Sequence, residues 1–139
     1  MLKRVSVLLL CALTLIACWW VNSKGVFTGL NVGKIEIYQK SNSSNAQIIL
    51  VSDLEYKFLT NKYGEACFVD GKDFCLTEFL SHFDANLIFT ETLSHGTSYY
   101  AYSPKIKYSK KINGEKINLH VFVGKNNVKV ASPIIYGSY

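Results

Sequence analysis

The N-terminus narrows what this chain can be. Lys3 and Arg4 precede a run from Val5 to Val21 that carries no charge, with Leu8, Leu9, Leu10, Leu13, Leu15 and Ile16 at its centre. A basic start followed by an apolar run is the layout of a secretory signal. The run also approaches the ~20 residues that cross a bilayer as a helix. A helix on a soluble surface needs a polar face, and this segment offers only Ser6 and Thr14. Residues 1–21 are therefore expected to direct export, with Lys3 and Arg4 holding the N-terminus inside. A polar, glycine-bearing spacer over 22–32 then leads to a domain over 33–139 on the far side of the membrane.

The fate of the segment stays open among three readings. Leu15-Ile16-Ala17-Cys18 resembles the bacterial lipobox, in which a small residue precedes a cysteine that is lipidated and becomes the new N-terminus; Cys18 is the candidate lipidation site. Trp19 and Trp20 fit better as interfacial anchors of an uncleaved spanning helix. Ordinary cleavage of a signal peptide is the third reading. All three export the remainder and make the membrane its first partner.

The 139 residues allow one domain beside a targeting segment. With 49% hydrophobic and 14% aromatic residues the chain can bury a real core, which argues against intrinsic disorder. The net charge of +5 includes Lys3 and Arg4, and the rest is unevenly spread. From Pro104 onward seven lysines face only Glu115, whereas Lys24 to Ser103 holds six lysines against nine acids. The C-terminal part thus suits an anionic polymer or lipid headgroups, although lysines also guard strand edges against aggregation. Cys67 and Cys75 stand apart from the targeting segment. Export would let them persist as a disulfide, closing a short loop around Asp70-Gly71; two unpaired thiols are the alternative. With no histidine pair at ligand spacing they do not make a zinc site.

The remaining pattern is α+β. Ile35 and Ile37 alternate with Glu36 and Tyr38 in a half-buried strand over Gly33 to Lys40. Ser41 to Asn45 is a loop by composition and holds a glycosylation sequon at Asn42-Ser43-Ser44. A strand opens at Gln47 and turns polar towards Leu59, with a loop over Asn61 to Gly64. Leu76, Phe79, Leu80 and Phe83 fall at i, i+3, i+4 and i+7, a single helical stripe, with Asp73 as the expected N-cap and Asp84-Ala85-Asn86 as the exit. Strands follow over Leu87 to Leu93 and Thr97 to Tyr102, joined by a turn at Ser94-His95-Gly96 and ended by Pro104. Asn113-Gly114 is the strongest hairpin signal. Ile117, Leu119, Val121 and Val123 then alternate with Asn118 and His120, and Val128 and Val130 with Lys129. The expected architecture is an antiparallel sheet of about five to six strands covered by one main helix, behind the N-terminal apolar helix.

The C-terminal patterns Ile117-Asn118-Leu119-His120-Val121 and Val128-Lys129-Val130-Ala131-Ser132-Pro133-Ile134-Ile135, with the preceding helix and two strands, resemble the C-terminal half of the YwmB family of exported bacterial proteins. The resemblance covers about the last 65 residues; most of the family's N-terminal half has no counterpart. It implies a fold like that of the TATA-box-binding protein, a curved antiparallel sheet backed by helix, and it implies no activity, cofactor or site residue.

No catalytic set stands out. Ser81-His82-Phe83-Asp84 contains triad residue types, but a triad needs converging geometry, and neighbours on one helix diverge. His82 reads as a helix-surface residue, His95 as a turn residue and His120 as a polar-face strand residue. Asp70-Gly71-Lys72-Asp73 lacks the ligand spacing of a calcium loop, and no phosphate loop or helical zinc motif appears. The aromatic strand and the basic segment after it supply a candidate binding surface: Tyr99, Tyr100, Tyr102, Lys105 and Lys107. Export separates such a surface from chromosomal DNA, and tyrosines on a sheet commonly serve cross-strand packing, so nucleic acid is not the expected partner. The expected function is non-enzymatic binding of a protein or an anionic envelope component. A small envelope hydrolase, pairing a histidine with Asp70, Asp73 or Asp84, is the alternative.

Overall fold

A computed structural model describes residues 2–22, 25–28, 30, 32, 34–39, 47–51 and 62–137, with side chains in the first helix described over 5–19. The loop expected at 41–45, its sequon, and the polar continuation after Val51 lie outside the described residues. The chain is α+β, as its periodicities require. Helix α1 (Leu2–Asn22) is followed by β1 (Ile35–Gln39), β2 (Gln47–Val51), β3 (Lys62–Val69), helix α2 (Leu76–His82), β4 (Asn86–Leu93) and β5 (Gly96–Tyr102). A hairpin of β6 (Lys110–Ile112) and β7 (Glu115–Ile117) precedes the last strands, β8 (Leu119–Gly124) and β9 (Val128–Ser132).

Seven strands form one sheet in the order β2-β1-β3-β9-β8-β5-β4, and β6-β7 form a separate ribbon. Every pairing between these strands is antiparallel. The sheet has one strand more than expected, because β3 begins inside the loop expected over Asn61 to Gly64 and runs on through residues to which the sequence assigns no element. Its sequence hides the alternation: Glu65 points into the main core, where its carboxylate accepts the buried backbone N–H of Phe27 at 2.7 Å. That contact also corrects the spacer. Phe27 is fully buried and packs edge-on against Phe83.

Helix α2 covers one face of the sheet. Leu76, Phe79, Leu80 and Phe83 meet Ile35, Ile37, Cys67, Leu119, Val121 and Val130 in a single cluster, as the helical stripe predicts. The N-cap is Cys75, without a side-chain hydrogen bond. Asp73 lies two residues too early, because the first helical bond runs from Phe79 N–H to the Cys75 carbonyl. At the exit Asp84 takes a φ of 49°, Asp84 N–H donates to Ser81 O and Ala85 N–H to Leu80 O, a Schellman closure.

Among the described residues, neither core cluster contains a side chain of α1. Its apolar side chains are exposed on every side, Leu8 at 70% and Leu15 at 71%. Among the described residues no helix is long and apolar enough to cross a membrane; Val5 to Trp19 rises only ~22 Å, and the helical backbone continues on either side to Leu2 and Asn22.

Candidate functional site

The expected binding surface is divided by strand alternation. Tyr99 and Ala101 face α2 and join the main core. Tyr100 points to the opposite face, where it is buried in a row of stacked rings. Phe89 lies 4.4 Å from it on one side and His120 4.3 Å on the other, at interplanar angles of 21° and 20°. Tyr102 is half-buried at the strand end, beside Lys116. The tyrosines therefore do not make one wall, because residues i and i+1 of a strand take opposite faces.

The face opposite α2 carries its own small core. Tyr38, Ala66, Phe122, Ala131 and Ile135 pack together, with Tyr63 and Tyr136 against them. Past the cis Ser132–Pro133 bond the chain lies over this face: Ile135 N–H donates to His120 Nδ1 at 3.1 Å, and Tyr136 meets Tyr38 and Tyr63 edge-on. Lys129, only 4% exposed, pairs with Glu36 at 2.8 Å, its ammonium 4.9 Å from the Phe68 ring. Lys129 between valines and Glu36 between isoleucines read in sequence as solvent-side residues, yet this second face is itself covered. Burial lowers His120 from 6.5 to about 4, so its imidazole is neutral, and Nδ1 as acceptor places the proton on Nε2. Burial likewise raises the Tyr38 and Tyr136 hydroxyls above their usual range.

Cys67 and Cys75 are free thiols, which the fold does not join. Cys67 faces the main core from the middle of β3, with its thiol pushed up to about 12 by desolvation. Cys75 is exposed at the helix cap. Cys18 is exposed on α1.

The basic segment stands apart. Lys105 pairs with Asp84 at 2.7 Å on the exposed surface. Beyond it come Lys107, Lys110, Lys111 and Lys116, all exposed, with no carboxylate at ion-pair distance among the described residues. Three of these ammoniums sit instead over tyrosine rings: Lys107 over Tyr108 at 6.0 Å, Lys110 over Tyr136 at 5.1 Å and Lys116 over Tyr102 at 5.1 Å. Tyr108 is 57% exposed.

The three histidines of the sequence alternative lie in different surroundings. His120 Nδ1 is committed to backbone, His95 Nδ1 lies 3.3 Å from Ser94 Oγ, and His82 stacks edge-on with Phe83. A shallow groove of about 320 Å³ between the loop after β3 and the β8–β9 turn is lined by Asp70, Lys72 and Asn126 but by no histidine. Among the described residues no group of three or more His, Cys, Asp or Glu could hold a metal ion. No known protein family, curated protein or solved structure matches the chain.

Proposed function

We propose that the chain is an exported domain held at the membrane by α1, which binds an envelope component without performing chemistry on it. One observation carries the reading: α1 exposes Leu8, Leu9, Leu10, Leu13 and Ile16 around its circumference, while both cores close without it. A bare apolar helix of that kind costs about 25 cal/mol for each Å² left in water, a cost that lipid removes. The divided tyrosines, the buried neutral His120 and the uncovered lysine-rich segment favour binding over catalysis and leave no shared aromatic wall for nucleic acid. Kinship to the YwmB family belongs to the same proposal, supported by the order α2, β4, β5 and then β8, β9.

Cell fractionation with metabolic lipid labelling tests the reading. The protein is expected in the membrane fraction and resistant to an alkaline wash. Label that disappears in Cys18→Ala identifies a lipoprotein, and an unlabelled form of undiminished length identifies a spanning anchor. Full recovery of an unprocessed chain in the cytosol overturns the proposal.

A further inference from the structure

We propose that the β6–β7 hairpin and the loop before it are a docking surface for anionic lipid headgroups, laying the domain against the bilayer that holds α1; this rests on the tether proposed above. The first observation is an unfavourable one. Lys111 and Lys116 are direct cross-strand partners, and like charges placed opposite each other weaken a ribbon. A ribbon with three residues in each strand has little stability to spare, and strands so short are already poor templates for aggregation. Edge protection therefore does not account for the pair, whereas an anionic surface turns the repulsion into attraction.

The second observation is orientation. The ammoniums of Lys107, Lys110 and Lys116 rest on tyrosine rings, which position the cations without neutralising them. Exposed Tyr108 and the ring of Tyr102 add the amphipathic side chains that settle at headgroup depth. Geometry permits the contact: α1 ends at Asn22 and Phe27 is already packed in the core, so the intervening residues 23–26 span at most ~14 Å and the tether keeps the domain near the surface. A lysine near an anionic leaflet strengthens attachment about five-fold.

The test uses the full chain in lipid nanodiscs of zwitterionic lipid alone or with anionic phosphatidylglycerol, each doped with a lipid bearing a gadolinium chelate. Amide signals of residues 105–117 are expected to be attenuated in anionic discs and not in zwitterionic ones, and attenuation should vanish near 1 M salt, where the Debye length is about 3 Å. The triple variant K107E/K110E/K111E should lose the attenuation, with attachment weakened by at least about 100-fold and sheet amide shifts unchanged. K111Q/K116Q separates function from structure: the hairpin should become more protected from hydrogen exchange while docking weakens. Equal attenuation in both discs, or none, overturns the docking surface. Shifts at 105–117 with long-chain polyphosphate but not with anionic discs overturn it in favour of a soluble polymer. A chain that elutes free of every disc overturns the tether instead.

Discussion

The imidazole of His120 stacks on Tyr100 and accepts the Ile135 N–H, so protonating it in place would break a buried hydrogen bond and strand a charge. Its folded pKa of about 4 lies below the ordinary 6.5. Between those values the unfolded chain takes up a proton that the folded chain refuses. Stability is therefore whole above pH 6.5 and falls as pH drops towards 4, by on the order of 3 kcal/mol. Urea unfolding across that window should show a shallower loss for His120→Asn; an identical slope contradicts the assignment. Burial also silences Cys67. In the folded protein a thiol reagent should modify Cys75 within minutes and reach Cys67 only after unfolding, as read by peptide mass spectrometry; equal rates would contradict the placement. Neither state of burial is legible from neighbours in sequence. Polar alternation puts His120 and Tyr100 on the face away from α2, but it does not say that the C-terminal segment and a row of rings cover that face.

Elements were readable where their signals are local. The stripe Leu76, Phe79, Leu80, Phe83 builds α2 because helix faces follow from spacing alone. Asn113 and Gly114 make the β6–β7 turn with φ of 52° and 85°, as a two-residue hairpin demands. Gly114→Val should therefore cost the ribbon about 1–2 kcal/mol, seen as faster amide exchange over 110–117 with the seven-stranded sheet unaffected. β3 is not legible in the sequence because Glu65 breaks its apolar alternation, and the partner that justifies Glu65 is a backbone N–H far earlier in the chain. The corner after β5 has the same long-range character. Asn118 Oδ1 accepts Ser103 N–H, Asn118 Nδ2 donates to Ser103 O and Ile106 O, and Ser103 Oγ donates to the Phe83 carbonyl. Asn118→Ala strands the Ser103 N–H and the Ile106 carbonyl in a buried site, while the Ser103 carbonyl keeps the Ile106 N–H, and should cost about 2–4 kcal/mol, measured by denaturant midpoint; a loss below about 0.5 kcal/mol would contradict that role.

At the scale of the molecule, local pattern gives the α+β class but not the strand order. The central pairing joins β3 to β9, which are far apart in sequence, and α2 carries the chain across the sheet to the β4 edge. The candidate surface moved for a related reason. Lys105 and Lys107 stay exposed, but the tyrosines before them are split between two faces, and the uncovered charge gathers on the hairpin. What the sequence displays most openly is α1, an apolar helix whose described side chains, over 5–19, join neither core. The proposed function depends on that helix carrying the domain across a membrane. A fusion of alkaline phosphatase after Tyr139, active only outside the cytosol, tests this directly. Phosphatase activity in the membrane or exported fraction, lost when Leu9 and Leu13 are replaced by arginine, is the predicted result. An inactive phosphatase, together with an active cytosolic reporter at the same position, would contradict it.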